Sequence, residues 1–415
     1  MTPVHQPTVC IIGGGAAGFF GAIACAEHYP DIKVIILEQN KTVLNKVKIS
    51  GGGRCNVTHA CFDPRELITF YPRGSKELLG PFNKFQPGDT MDWFEKRGVS
   101  LKIEEDNRVF PESDDSQTII DCLIKAAKSL HIQIWNSTKI TGIGRDDKNN
   151  HQWLLRTATG QPILADYILV ATGSSPMVWE MLEGIHTIID PVPSLFTFNI
   201  QHILLKDLQG ISVPDAEIRV EGQKLETSGP LLITHWGLSG PAVLKMSAWG
   251  ARLFHAMNYR FKIQVNWTGL EYHQAAGLLE RHLHSYPKKQ VSSTPLFNIP
   301  SRLWKRITEY TKLPEAITWQ QLDPEQVRHL LKILVFCQLP VNGKSTFKDE
   351  FVTAGGIALE EVDFRTMESK KTPHLYLAGE VLDIDALTGG FNFQAAWTTG
   401  YLAGRTIAQS AAKRS

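Results

Sequence analysis

The sequence predicts an α/β chain in which one domain is interrupted by an inserted domain with a β part and a helical part. Three observations predict it. First, the chain opens with a short β-rich run (Thr8 to Ile12), a glycine turn, an alanine-rich helical stretch (Ala16 to Glu27) and a second apolar run (Ile32 to Glu38), which together make one β-α-β unit. Second, β and glycine character returns late, at Leu375 to Gly379, and is followed by a glycine-led helix from about Phe391 to Ala408. Third, the long stretch between these ends carries no nucleotide motif, so the first domain is discontinuous.

The remaining elements fall in order along the chain. Residues 116 to 130 have helical apolar spacing, Ile132 and Ile134 alternate with polar neighbours, and Tyr167 to Ala171 is a short buried strand ending in Thr172 and Gly173. From Phe196 to Asn266 the pattern becomes short alternating β runs such as Glu217 to Val220 and Phe261 to Val265. From Tyr272 to Leu339 it is helical, with Ala275 to His284, Ser301 to Thr311 and Pro324 to Leu334 bounded by Pro and Ser. The expected division is 1–195 and 346–415 for the discontinuous domain and 196–345 for the insert, whose β region covers about 196–268 and whose helical region covers about 269–345.

Composition narrows the function classes. The 415 residues are 43% hydrophobic and 20% charged, enough to pack two or three cores without metal or disulfide staples. Lys plus Arg total 43 against 42 Asp plus Glu, so no global field recruits nucleic acid or a membrane surface, and a small molecule is the expected partner. The cysteines at 10, 25, 55, 61, 122 and 337 form no CxxC pair and no metal-ligand spacing, which fits a reducing, cytoplasmic setting and no bound metal. The opening MTPVHQPTVCIIGGG lacks the regions of a signal peptide, and the apolar run Val9 to Ala26 is broken by Gly13, Gly14, Gly15 and Gly18, so it reads as sheet and helix rather than a membrane span.

The chemistry-bearing motifs sit at the ends. Gly13-x-Gly15-x-x-Gly18 follows a strand and opens a helix: Gly13 permits the tight turn, Gly15 lets backbone approach a pyrophosphate, and Gly18 allows close helix-strand packing. The phosphates would sit at the helix N-terminus, where unpaired N-H groups and the dipole favour anions. That context makes the fold Rossmann-type. Glu38 closes the second strand 25 residues past Gly13, where a carboxylate accepts hydrogen bonds from ribose hydroxyls and repels a 2′-phosphate; a solvated strand-end Glu is the plain alternative.

Next, KVKISGGGRCNVT at 46–58 places Arg54, Cys55 and Asn56 directly after three glycines. Glycines expose backbone N-H groups to a ligand, and an arginine bridges phosphate or binds a flavin carbonyl; a flexible turn is the alternative. Cys55 has no partner thiol nearby and reads first as a packing residue. The stretch LYLAGEVLDIDALTGGFNFQAAWTTG at 375–400 is a second strand-loop-helix unit, with Gly390 to Asn392 at the helix start. A flavin, unlike NAD, needs this second anchorage for its ribityl chain and ring, and a helix N-terminus stabilises charge on the pyrimidine side of reduced flavin. The expected cofactor is therefore FAD. Glu380 and Asp383 either bind ribityl hydroxyls or a substrate, or are simply solvated. No second Gly-x-Gly-x-x-Gly has strand and helix context, so any nicotinamide binds elsewhere or transiently.

These motifs resemble the BaiN/RdsA-type NAD(P)/FAD-dependent oxidoreductases, bacterial flavoproteins related to a bile-acid 4,6-reductase and also labelled aminoacetone oxidase-like. The resemblance rests on GGGAAG at 13–18, ISGGGRCNVT at 49–58, RVFPESD at 108–114, GPLLITHWGLSGPAVLKMS at 229–247, FVTAGGIALEEVDFRTMESK at 351–370 and the whole stretch from Leu375 to Gly404. It implies an FAD domain of the glutathione-reductase type. It also implies FAD contacts at Gly13, Gly15, Ala17, Gly18, Glu38, Lys48, Arg54, Cys55, Asn56, Thr172, Gly173, Gly379, Glu380, Gly390, Phe391 and Asn392. The stretch 173–190 departs from the family pattern, being shorter than its glycine-rich segment.

In the insert, Thr234, His235, Trp236 and Gly237 are the substrate-side candidates, since the pattern sets an acid beside an aromatic wall; a structural histidine is the alternative. Arg108 and Phe110 either flank the flavin or end a strand. The expected activity is NAD(P)H-dependent reduction of an activated C=C or C=O through hydride transfer at flavin N5. Two other readings stand beside it: an oxidase of an amine or alcohol using oxygen, and a flavin-binding sensor or scaffold without turnover.

Overall fold

The computed structural model describes residues 6–146, 152–345 and 352–414, and the chain divides into two compact units, Met1–Pro191 with Val352–Ser415, and Val192–Phe351. Residues 1–5 of the N-terminal stretch, the expected boundary at 345/346 and Phe351 of the family block lie outside the described residues, wholly or in part.

In the first unit, strand β1 (Thr8–Ile12) pairs in parallel with β2 (Lys33–Leu37) on one side and with Tyr167–Val170 on the other. The parallel ladder continues through Leu375–Leu377 at one end and Gln133–Trp135 at the other, and the short strands Glu368–Ser369 and Val362–Asp363 extend it antiparallel to seven strands. The central strands are apolar along most of their length because both faces are covered, as parallel sheets require. Helix α1 (Ala16–His28) packs against the C-terminal helix Phe391–Ala412 at backbone distance. A methyl group on Gly400 would strike the Ala17 carbonyl, and one on Gly404 would strike the Gly21 carbonyl. This contact brings the first and last helices of the chain together, and with them both glycine motifs.

Two three-stranded antiparallel sheets complete this unit. One joins Thr58–His59, Arg108–Pro111 and Leu101–Ile103, so Arg108 and Phe110 do lie in a strand; the other joins Ile140–Arg145, Trp153–Thr157 and Ile163–Ala165. Ile188–Pro193 pairs with Thr353–Ile357, and beside them lies a buried polar cluster. Glu361 there accepts from the Thr187 N-H (3.0 Å), the Thr187 hydroxyl (2.9 Å) and His186 Nδ1 (2.9 Å), while His186 Nε2 meets Ser369 Oγ at 3.0 Å.

The second unit is built on a seven-stranded antiparallel sheet in the order Cys337–Asn342, Arg260–Asn266, Ser212–Val220, Glu226–Ile233, Gly237–Ser239, Thr197–Asn199, Lys344–Ser345. Helices Tyr272–Ser285, Ser301–Tyr310 and Pro324–Val335 bury Trp304 and Trp319 in the same core as Trp267. A clean succession of β part and helical part is corrected here: Cys337–Asn342 and Lys344–Ser345 follow the helices and return to the sheet. Cys337–Asn342 shows strand-like alternation of buried and less buried residues, short enough to be absorbed into the preceding helical run. Among the described residues, no helix is long and apolar enough to cross a membrane.

Candidate functional site

The site begins where β1 becomes α1. Gly13 has φ +110°, and a methyl group there would lie 2.5 Å from the Ala171 carbonyl oxygen, so this turn is glycine by necessity. A methyl on Gly18 would strike the Gly13 carbonyl, which lets α1 approach the strand. Gly15 differs: as N-cap of α1 it has φ −95°, no side chain caps the helix, and a methyl there would meet nothing within 4 Å. The first-turn N-H groups of a helix have no intrahelical partner, so the uncapped end faces open space with a positive partial charge.

Beside it, Glu38 is 8% exposed and held fast. One carboxylate oxygen accepts from the Gly14 N-H (2.9 Å) and the other from the Asn40 N-H (2.8 Å) and side-chain amide (2.6 Å). Each oxygen lies at the end of β2 with its orientation set by backbone, which suits it to receive further donors.

The triple-glycine turn has two sides. Gly51 packs close to the Asn56 N-H and Phe110, whereas Gly52 and Gly53 have open space where a Cβ would be. The Arg54 guanidinium lies 3.9 Å over the Phe110 ring and pairs with Glu104 at 2.7 Å, a hydrogen bond that raises its pKa. Its charge is therefore matched within the protein. Cys55 is fully buried, and burial pushes its thiol up to about 12, which removes it as a thiolate at neutral pH. Lys48 is exposed, its backbone carbonyl accepting from Ser116 Oγ at 2.8 Å. Lys46, which the sequence reading did not single out, forms an ion pair with Glu380 at 2.6 Å, and both groups lie within 4 Å of where a Cβ on Gly173 would be. The structure thus joins Glu380, Gly173 and Lys46, which are spread over 334 residues.

The C-terminal motif closes the site. Gly379 (φ +73°) donates its N-H to Thr399 Oγ1 at 3.0 Å and lies against Ala17. Gly390 (φ +93°) caps the helix Phe391–Ala412 without a side-chain cap, and a methyl there would sit 2.5 Å from the Thr58 carbonyl. With its amide turned to satisfy both ends, Asn56 donates to the Thr58 carbonyl (2.9 Å) and accepts from the Gly390 N-H (3.0 Å). Tyr71 donates to the Phe391 carbonyl at 2.6 Å, and the Asn392 amide accepts from the Ala386 N-H at 2.9 Å. Behind this start, Gln394 Oε1 accepts from Thr58 (2.6 Å) and Thr90 (2.9 Å) hydroxyls. Asp385, fully buried, is paired with Arg73. These long-range partners leave no periodic signal in the sequence.

Asp383 is partly buried, its N-H bonded to the Ile357 carbonyl at 3.1 Å. In the other unit, His235 and Trp236 are exposed at a tight turn closed by Thr234 Oγ1, which accepts from the N-H groups of Trp236 and Gly237, each at 3.2 Å.

An uncapped helix start beside Gly15, open sides at Gly52 and Gly53, an oriented strand-end carboxylate and a second uncapped helix start fit an anionic dinucleotide that continues into a flavin. Comparison with known proteins agrees. Residues 7–406 match the family described as HI0933-like protein Rossmann domain. The chain is similar to a ribosomal RNA dihydrouridine synthase of Escherichia coli (strain K12), with 27% identity covering 94% of this chain and 95% of that one. It is equally similar to a 3-dehydro-bile acid delta(4,6)-reductase of Clostridium scindens, with 27% identity covering 96% and 98%. Among solved structures, a variant of E. coli quinol fumarate reductase FrdA shares the fold at TM-score 0.51 and 14% identity, over 99% of this chain and 71% of that one. The chain therefore belongs to the HI0933-like Rossmann family, and is an FAD-dependent oxidoreductase.

Proposed function

We propose that this flavoprotein uses NAD(P)H to reduce a C=C conjugated to a carbonyl in a small organic substrate. The observation that carries the reading is the cradle itself: two uncapped helix starts, at Gly15 and Gly390, brought together by the backbone contact of their helices. The names of the two relatives add support, since both describe saturation of a double bond. FAD, when bound, supplies the group that accepts and gives up hydride.

The chain's own residues divide the remaining work. The α1 N-H groups and the Gly15 backbone would receive the pyrophosphate, with Gly13, Ala17 and Gly18 shaping the turn. Glu38 would accept from the adenosine ribose. The Gly52–Asn56 backbone, Thr172, Gly173, Gly379 and Glu380 would line the middle of the cofactor, Lys46 holding Glu380 in place. The helix start Gly390–Asn392 would face the pyrimidine edge and stabilise negative charge there. Arg54, already paired with Glu104, and Lys48, exposed, would contribute charge at the rim rather than a buried contact.

The test is to mix the purified yellow protein anaerobically with NADH and, separately, NADPH in a stopped-flow instrument. Fast loss of oxidised-flavin absorption supports the reading and opens a screen of enones. If neither nucleotide bleaches the protein while dithionite does, the reductase reading fails and an oxidase or sensor takes its place.

A second reading, with a base of an RNA as the acceptor, is favoured by one observation. The segment 192–351 carries 18 Lys and Arg against 13 Asp and Glu, whereas the whole chain has 43 against 42. A steep fall of ribosomal RNA binding with salt, together with turnover on RNA and not on free enones, would establish it in place of the first.

A further inference from the structure

The polar groups around the second helix start are matched within the protein: Asn56 with Gly390, Tyr71 with Phe391, Asn392 with Ala386, and Thr58 and Thr90 with Gln394. His59 stands apart. Its Nδ1 is buried and makes no hydrogen bond. The ring stacks on Phe391, the first residue of the helix, at 4.5 Å between centroids, and Phe391 stacks in turn on Phe70 at 4.3 Å. Its Cδ2 lies 3.6 Å from where a Cβ on Gly389 would be, so the imidazole sits directly against the turn that leads into the helix.

The charged groups around the ring are few. Asp106, by its charge and by a hydrogen bond between its backbone and the ring, and Glu66, by its charge, favour the protonated form, and Arg108, opposite His59 across the strand pair, is engaged by Asp106 at 2.7 Å and Glu104 at 3.3 Å. Against them, burial lowers the pKa of His59 below its ordinary 6.5. The helix N-terminus acts the same way, since its positive end repels a neighbouring cation. The imidazole is thus held neutral by a balance that a new negative charge at the helix start would tip.

We propose that His59 takes up a proton when the flavin beside it is reduced, acting through the Gly389–Phe391 turn as a positioning residue that balances the added charge. This rests on the reading that the flavin's pyrimidine edge lies against the start of the helix Phe391–Ala412. The balance is simple: the reductant delivers two electrons and one proton as hydride to the flavin, water supplies one further proton to the imidazole, and reoxidation returns it. Coupling is reciprocal, so the protonated ring also raises the flavin's midpoint potential.

The experiment is an anaerobic dithionite titration of the FAD-loaded protein with reference dyes, between pH 5 and 8.5, for wild type and His59→Gln. Wild type is expected to show a pH window in which one extra proton accompanies each two electrons, a further tenfold change in the equilibrium per pH unit, or about 30 mV. The flavin's own titration is common to both proteins; the extra window is expected to vanish in His59→Gln. Equal slopes in the two proteins overturn the proposal, because a ring that only packs would alter stability and not proton count. Should His59→Gln fail to fold, the ring-proton resonance of His59 in the wild type decides: it is expected to titrate at higher pH in the reduced protein, and an unchanged midpoint overturns the proposal. No nicotinamide enters either measurement, so failure of the NAD(P)H reaction is seen separately.

Discussion

The two helix starts that form the cradle use glycine for opposite reasons. At Gly15 the backbone angle is ordinary (φ −95°) and nothing lies within 4 Å of a Cβ, so the missing side chain leaves room for something that is not protein. At Gly390 the angle is left-handed (φ +93°) and the space is filled by the Thr58 backbone, so the missing side chain leaves room for protein. The first glycine leaves its surroundings open and the second packs against protein, although both precede a helix without a side-chain cap. A glycine's role is thus read from what occupies its Cβ position.

The sharpest way to break this contrast is to add a methyl at each. Gly390→Ala meets the Thr58 carbonyl and a disfavoured φ together, and we expect a loss of about 3–5 kcal/mol in folding stability by urea denaturation of the apoprotein. A loss below about 1 kcal/mol would mean that the turn relaxes and that the contrast is false.

Next in size is a region where every partner is protein, which calibrates what a filled polar site contributes. Burial pushes the Glu361 carboxyl up, but the Thr187 N-H, His186, the Thr187 hydroxyl and Lys371 pull it down to about 2, from an ordinary 4.5. A depressed carboxylate gives stability that is fully present above pH 4.5 and lost as pH falls toward 2, on the order of 3 kcal/mol. His186, lowered mainly by burial, adds a loss that begins below its ordinary 6.5. Glu361→Gln is expected to be less stable at pH 7 and to lose less between pH 5 and 2; an unchanged acid slope would sink this account.

Gly15→Ala comes third. Its apoprotein is expected to unfold within about 0.5 kcal/mol of wild type. FAD affinity, by fluorescence titration, is expected to fall about 10- to 100-fold as the methyl enters the phosphate's space, equivalent to about 1.4–2.8 kcal/mol. Unchanged affinity would remove the pyrophosphate from this helix start.

The smallest effect belongs to Lys46→Met. The Lys46 side chain is 58% exposed, so its pair with Glu380 is worth about 0.2–1 kcal/mol to folding. A much larger loss in FAD affinity would show that Lys46 acts on the cofactor itself and not only through Glu380.

The sequence by itself determined the β-α-β opening, the uncapped turn at Gly15 and the position of Glu38, because strand periodicity, glycine spacing and helix signals all act within some 30 residues. It also marked the second strand-loop-helix unit at 375–400 for the same reason. Only the tertiary structure decided which glycine faces open space, that Arg54 is matched by Glu104, that Cys55 is a buried thiol, and that Lys46, His59 and Gln394 meet Glu380, Phe391 and Thr58. Those facts depend on contacts between residues distant in sequence, 50 positions apart for Arg54 and Glu104 and more than 300 for Lys46 with Glu380 and Thr58 with Gln394. The return of Cys337–Asn342 to its sheet is of the same kind, since a strand's place is set by the partner whose backbone N-H and carbonyl groups it must satisfy.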